Sequence, residues 1–237
     1  MIKWSIKYDT IYARLVGNFF MMDTIAKPTE ARKWVVAGYF TLGYGTLVAW
    51  YLTQVAGVSL AEPSFWLSFL AATAGFMLAT SFSASSFSYF FGWPDMRKGY
   101  QKQIGVMAFW LCFVYCVGLL VVEPDIYYYG FWENLATPNF ILGLSAMTIF
   151  GLMVAINSGP IAPYFSWDTI RLFLNLGFLG YGFLVMRAIL LEWPLWVEWM
   201  TTFSGLPTNR FILSVLAISV LLLRLAVIIH RRSRPAS

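Results

Sequence analysis

The chain has few residues with which to hold a metal or a redox group. It carries one histidine, His230, and two cysteines, Cys112 and Cys116. Bis-histidine haem, a three-histidine zinc site and a di-iron cluster all demand more than that, so none is expected from this chain alone. The cysteines lie one turn apart inside an apolar run, away from any histidine or carboxylate, and read as core thiols. Acidic residues are also scarce, 11 among 237, and none falls in the apolar part of a hydrophobic run. A carboxylate proton relay or a sodium-coupled site therefore has no obvious ligand. No catalytic residues and no metal ligands are expected, the balance leans away from an enzyme, and the identity of any cofactor stays open.

Charge of either sign is thin. Only 11% of residues are charged, against about a quarter in an ordinary soluble domain. Hydrophobic residues make up 59% and the mean hydropathy is +0.69. These values describe a membrane protein. At about 20 residues per crossing, the apolar runs predict six spans, near 34–54, 65–91, 104–122, 138–157, 169–190 and 210–230. The expected fold is all-α, a polytopic transmembrane helical bundle. The first 33 residues contain no apolar core with a small-residue cleavage site, so no cleaved signal peptide is indicated.

Lys and Arg are sorted by loop. Lys3, Lys7, Arg14, Lys27, Arg32 and Lys33 precede the first span; Arg97, Lys98 and Lys102 follow the second; Arg231, Arg232 and Arg234 follow the last. The intervening loops carry Glu62, then Glu123, Asp125 and Glu133, then Glu192 and Glu198. By the positive-inside rule both termini are cytoplasmic, in agreement with an even number of spans. A bacterial inner membrane is the expected location. Residues 8–22 place Ile11, Leu15, Phe19 and Met22 on one helical stripe, which predicts an amphipathic helix on the cytoplasmic face or against a partner. The chain thus divides into an interfacial segment (1–33), a six-span domain (34–230) and a basic tail (231–237). Tyr127, Tyr128, Tyr129, Phe131 and Trp132 in one outer loop and Trp193, Trp196 and Trp199 in another suit an aromatic belt. Residues 192–207 are expected to form a short outer interfacial helix.

"TLGYGT" at 41–46 resembles the filter loop of potassium channels, which lies between two membrane helices at the outer mouth. Here it falls mid-span, and no apolar helix precedes it. Moreover, Leu179-Gly180-Tyr181-Gly182 in the fifth span repeats Leu42-Gly43-Tyr44-Gly45, and the two spans are expected to run in the same direction. An internal duplication is one reading, as in transporters built of parallel repeats. The simpler one makes Gly43, Gly45, Gly180 and Gly182 notches where helix backbones approach closely.

The second span holds "TSFSASSFSYFF". At about 100° per residue, Ser81, Ser85 and Ser88 share one face, and Gly75, Ala79, Ser83 and Ser86 another. Two small-residue faces predict neighbours on two sides, with a polar permeation path as the alternative. The charges at span depth are Arg187, within reach of Glu192 or the headgroups, and Arg224, placed to snorkel or to bond a Ser or Asn on another helix.

Two further stretches bear a likeness to known families. "LGLSAMTIFGL" at 142–152 is similar to the glycine-flanked serine of rhomboid proteases, which implies a nucleophile at Ser145. Those enzymes pair it with a histidine inside a neighbouring membrane helix, which this chain lacks, so Ser145 reads as a packing serine. "GWPDMRKG" after the second span resembles the loop at the same place in major facilitator transporters, a family with two six-helix halves.

The favoured expectation is a non-catalytic integral membrane subunit, a scaffold or assembly component of a larger complex. The alternative is a small facilitative transporter or channel using the serine-rich span. Expected partners are the lipid bilayer and other membrane subunits or further copies of the chain, with no nucleic acid.

Overall fold

A computed structural model describes residues 29–91, 100–157, 161–203 and 205–233. The expected helix over 8–22, Arg97 and Lys98 of the basic loop and the tail from residue 234 lie outside the described residues.

In hydrocarbon a chain satisfies its backbone N–H and C=O groups within one segment only by coiling into a helix. Six long apolar helices result: α1 (Glu30–Trp50, continued by a wider π-type turn, Tyr51–Val55), α2 (Pro63–Phe91), α3 (Gln101–Val122), α4 (Pro138–Ile156), α5 (Trp167–Thr202) and α6 (Asn209–Ser233). All six are long and apolar enough to cross a membrane, as expected of an integral, multi-pass protein. No strand occurs among the described residues.

Local chemistry sets several of the helix starts. Thr29 caps α1, its hydroxyl accepting from Arg32 N at 3.4 Å. Ser166 caps α5 by accepting from Thr169 N at 3.3 Å, and the Thr208 hydroxyl accepts from Phe211 N at 3.2 Å to start α6. Pro138 opens α4, where its missing N–H costs nothing.

The fifth helix departs from expectation. The separate interfacial helix anticipated at 192–207 does not form; α5 continues without a break through Pro194 to Thr202. Proline lacks only one helical hydrogen bond, and tight packing around a membrane helix tolerates that loss. At 36 residues α5 is about 54 Å long, more than the roughly 30 Å of hydrocarbon, so it must tilt or project. It ends at Phe203, which adopts a left-handed conformation (φ 48°), and Gly205 (φ +74°) turns the chain back toward α6.

One side of the bundle, here the basic side, holds the start of α1, with Arg32 and Lys33, and the end of α6, with Arg231 and Arg232. The acidic side holds the opposite helix ends and Glu62, Glu123, Asp125, Glu133, Glu192 and Glu198.

At the centre is α2. Just over half of its most apolar stretch is buried (56%), against 17–22% for the corresponding stretch of each of the other five. α3 lies antiparallel to it: Leu67 presses on Gly118 near one end and Ser81 on Gly105 near the other. α1 crosses it through Tyr44, whose hydroxyl shares a 2.6 Å hydrogen bond with Thr80 and whose ring stacks on Phe76. α6 runs alongside in the same direction, Leu213 filling the notch at Gly75 and His230 meeting Tyr89 edge-on. α4 and α5 form a second antiparallel pair. Phe82 on α2 reaches into it, with its ring centroid 4.9 Å from Phe178, 5.4 Å from Tyr181 and 6.2 Å from Phe150.

Candidate functional site

The serines of α2 are packed in. Ser81 donates to Gln101 O on α3 at 3.0 Å, Ser83 to Thr80 O at 3.1 Å and Ser85 to Phe82 O at 3.4 Å. Ser81, Ser83, Ser86 and Ser88 are buried, and Ser85 is half-buried. Back-bonding to carbonyls one turn earlier makes such hydroxyls independent of water. Two buried hydroxyls on this helix, Thr73 Oγ1 and Ser86 Oγ, have no hydrogen-bond partner among the described residues.

The two glycine pairs do not receive equivalent partners. A Cβ at Gly45 would meet Phe69 at 3.1 Å, and one at Gly180 would meet Ile149 at 3.2 Å and Phe150 at 3.3 Å. A Cβ at Gly43 or Gly182 would meet nothing within 4 Å. Aligning the repeats pairs Gly43 with Gly180, so the packed glycine is the second of the first pair and the first of the second. The tightest notch between α4 and α5 is a different residue, Gly177, where a Cβ would collide with the Met153 sulfur and come within 3.0 Å of Phe82.

Arg187 and Arg224, set within α5 and α6, each bond an asparagine on the neighbouring helix. Arg187 Nε on α5 donates to Asn139 Oδ1 on α4 at 2.7 Å, and its guanidinium end lies beside Gly143. The Tyr115 hydroxyl on α3 is also within its reach. Arg224 on α6 donates to Asn175 Oδ1 on α5 at 3.0 Å and sits over the Phe178 ring, 4.9 Å from its centroid.

Arg187 makes no ion pair with Glu192, because that carboxylate is committed elsewhere. Its side chain is 12% exposed and accepts from Arg210 at 3.0 Å, from Thr208 Oγ1 at 2.7 Å and from Trp196 Nε1 at 3.1 Å. Trp199 Nε1 donates to Gly205 O at 3.1 Å, and the Tyr51 hydroxyl donates to Pro207 O. Together these bonds fasten the α5–α6 turn to the acidic side.

Ser145 is half-buried on α4, while His230 lies at the far end of α6 on the basic side, so the two are not brought together. Cys112 and Cys116 are free thiols, both half-buried. Among the described residues no group of three or more His, Cys, Asp or Glu is arranged to hold a metal. A groove of about 420 Å³ between α2 and α3 is lined by apolar residues including Trp66, Leu70, Val114 and Val117. It presents no chemistry beyond a fit for hydrocarbon.

Asn139, Asn175, Tyr115, Phe82 and Gly177 escaped the sequence reading. A polar amide one register away from an arginine on a separate helix leaves no periodic trace, and Gly177 belongs to no repeat. No family model matches the chain, and no curated protein matches it.

Proposed function

We propose that the chain is a non-catalytic integral membrane subunit, a scaffold or assembly component of a larger membrane complex, in a bacterial inner membrane with both termini cytoplasmic. The observation that supports this reading most is the use of the serine-rich helix as packing material. Its hydroxyls bond backbone carbonyls of the bundle, and α1, α3 and α6 cover it. The peripheral helices turn large apolar side chains outward, such as Leu42 and Trp50 on α1 and Leu222 on α6. Lipid or partner helices can take up those faces.

Native purification in mild detergent with mass spectrometry of co-purifying proteins tests the reading. Stoichiometric recovery of other membrane proteins is expected; a lone monomer or a closed homo-oligomer would overturn it.

The transporter or channel remains the second reading, favoured by the unpartnered hydroxyls of Thr73 and Ser86. It requires water along α2. Cysteines placed at Ser81, Ser85 and Ser88 would then react with a membrane-impermeant thiol reagent, and complete protection rules the path out.

A further inference from the structure

An arginine at span depth costs several kcal/mol unless its charge is met, and Arg187 is met only in part. Asn139 takes Nε at 2.7 Å, and Tyr115 offers a neutral hydroxyl. Neither cancels a charge. No carboxylate pairs with Arg187 among the described residues, and Glu192, five residues on, is held by Arg210, Thr208 and Trp196. Gly143 lies beside the head, where a Cβ would come 3.4–3.5 Å from Nε, Cδ and Cζ, so the bare glycine leaves the guanidinium room against α4. With Nε engaged, the guanidinium keeps its two Nη groups, a planar fork that matches two oxygens of one oxyanion.

The depth of this fork narrows the ligand. Asn139 is the second residue of α4, so Arg187 lies close to where that helix leaves the hydrocarbon on the acidic side. Headgroup phosphates occupy that level. The positive end of α4 adds to the local potential.

We propose that Arg187, oriented by Asn139 and flanked by Tyr115, binds a phosphate-type oxyanion, supplied by a phospholipid headgroup on the acidic side or by soluble phosphate. The site does not depend on whether the chain is a subunit or a transporter.

The test uses the full chain, delipidated in mild detergent, with phosphatidylglycerol, the diacylglycerol of the same tails and inorganic phosphate. Lipid adducts are counted by native mass spectrometry, and unfolding is followed by tryptophan fluorescence. Phosphatidylglycerol is expected to bind and raise the unfolding midpoint, and diacylglycerol to do neither. Stabilisation by inorganic phosphate alone identifies a soluble oxyanion; a requirement for the tails identifies the lipid. Arg187→Gln is expected to weaken phosphate-dependent binding by about tenfold or more. If that variant does not fold, Arg187→Lys keeps the charge but loses the fork, and weaker binding is expected from it as well. Equal binding of diacylglycerol and phosphatidylglycerol, or undiminished binding by the variant that folds, overturns the proposal.

Discussion

Arg187 and Asn139 join α5 to α4 through a 2.7 Å hydrogen bond near the acidic side. Arg224 and Asn175 join α6 to α5 through a 3.0 Å bond nearer the basic side. In both, the cation meets a neutral amide from the preceding helix in sequence. The three C-terminal helices are therefore stapled at two depths by polar bonds and packed between them by aromatic and small residues.

The staples should differ in strength. Arg187 and Asn139 are half-buried, whereas Asn175 is exposed. Asn139→Ala deprives a half-buried charged donor of its hydrogen bond, at about 1–3 kcal/mol, while Asn175→Ala should cost about 0.5 kcal/mol, near the mean for interhelical bonds in membranes. Unfolding in mixed SDS micelles measures both. Equal losses would mean that Asn139 does not carry the Arg187 charge.

Gly43 and Gly182 should accept alanine within about 0.5 kcal/mol, as substitutions in open positions do. Gly180→Leu should be costly, about 1–3 kcal/mol, because Ile149 and Phe150 already fill the space, whereas Gly177→Ala should cost less, since the flexible end of Met153 can move aside. Strong destabilisation by Gly43→Ala in the same assay would show that a partner covers that face of α1.

These glycines also mark the limit of what the sequence discloses. The six spans were legible because each is an apolar run long enough to cross, and the turns between them carry charge. Which helix meets which was not. Gly43-Tyr44-Gly45 and Gly180-Tyr181-Gly182 look alike in sequence, yet opposite members of the two pairs are packed, because α1 presents Gly45 to Phe69 while α5 presents Gly180 to Ile149 and Phe150. The partner of Arg187 was hidden for a similar reason. Glu192 is closer in sequence, but Arg210 and Thr208, brought back by the turn at Gly205, occupy its oxygens.

Glu192 should matter more than Arg210. The carboxylate is nearly enclosed and holds three donors, so Glu192→Ala strands Thr208, Trp196 and Arg210 together, at about 2–4 kcal/mol. Arg210 is half in solvent, and its pair should contribute no more than about 1 kcal/mol. Thr208→Ala removes the cap of α6, at about 1 kcal/mol. Chemical unfolding of the three variants tests the order, which fails if Arg210→Ala equals Glu192→Ala.

Phe82 is the contact by which α2 grips the α4–α5 pair. It is 5% exposed and surrounded by Phe150, Phe178 and Tyr181. Phe82→Ala should cost about 3–5 kcal/mol through the cavity it leaves. Limited proteolysis of the loop joining α3 and α4 should accelerate in that variant as the pair loosens. An unchanged cleavage rate would show that α4 and α5 are held by other contacts.

Ser81 and Ser86 lie on the same helix, both buried, and their hydroxyls should respond oppositely to removal. Ser81 Oγ bonds Gln101 O on α3, so Ser81→Ala gives up a cross-helix hydrogen bond and should lose about 1 kcal/mol. Ser86 is fully buried with no partner for Oγ among the described residues, and leaving such a group unpaired is itself unfavourable. Ser86→Ala should therefore be neutral or stabilising in the same unfolding assay. If α2 instead lined a hydrated path, water would satisfy the Ser86 hydroxyl, and its removal would cost stability just as removal of Ser81's does. Loss of stability in Ser86→Ala would thus favour transport over packing, and a gain would mark Ser86 as a dry packing position within the bundle.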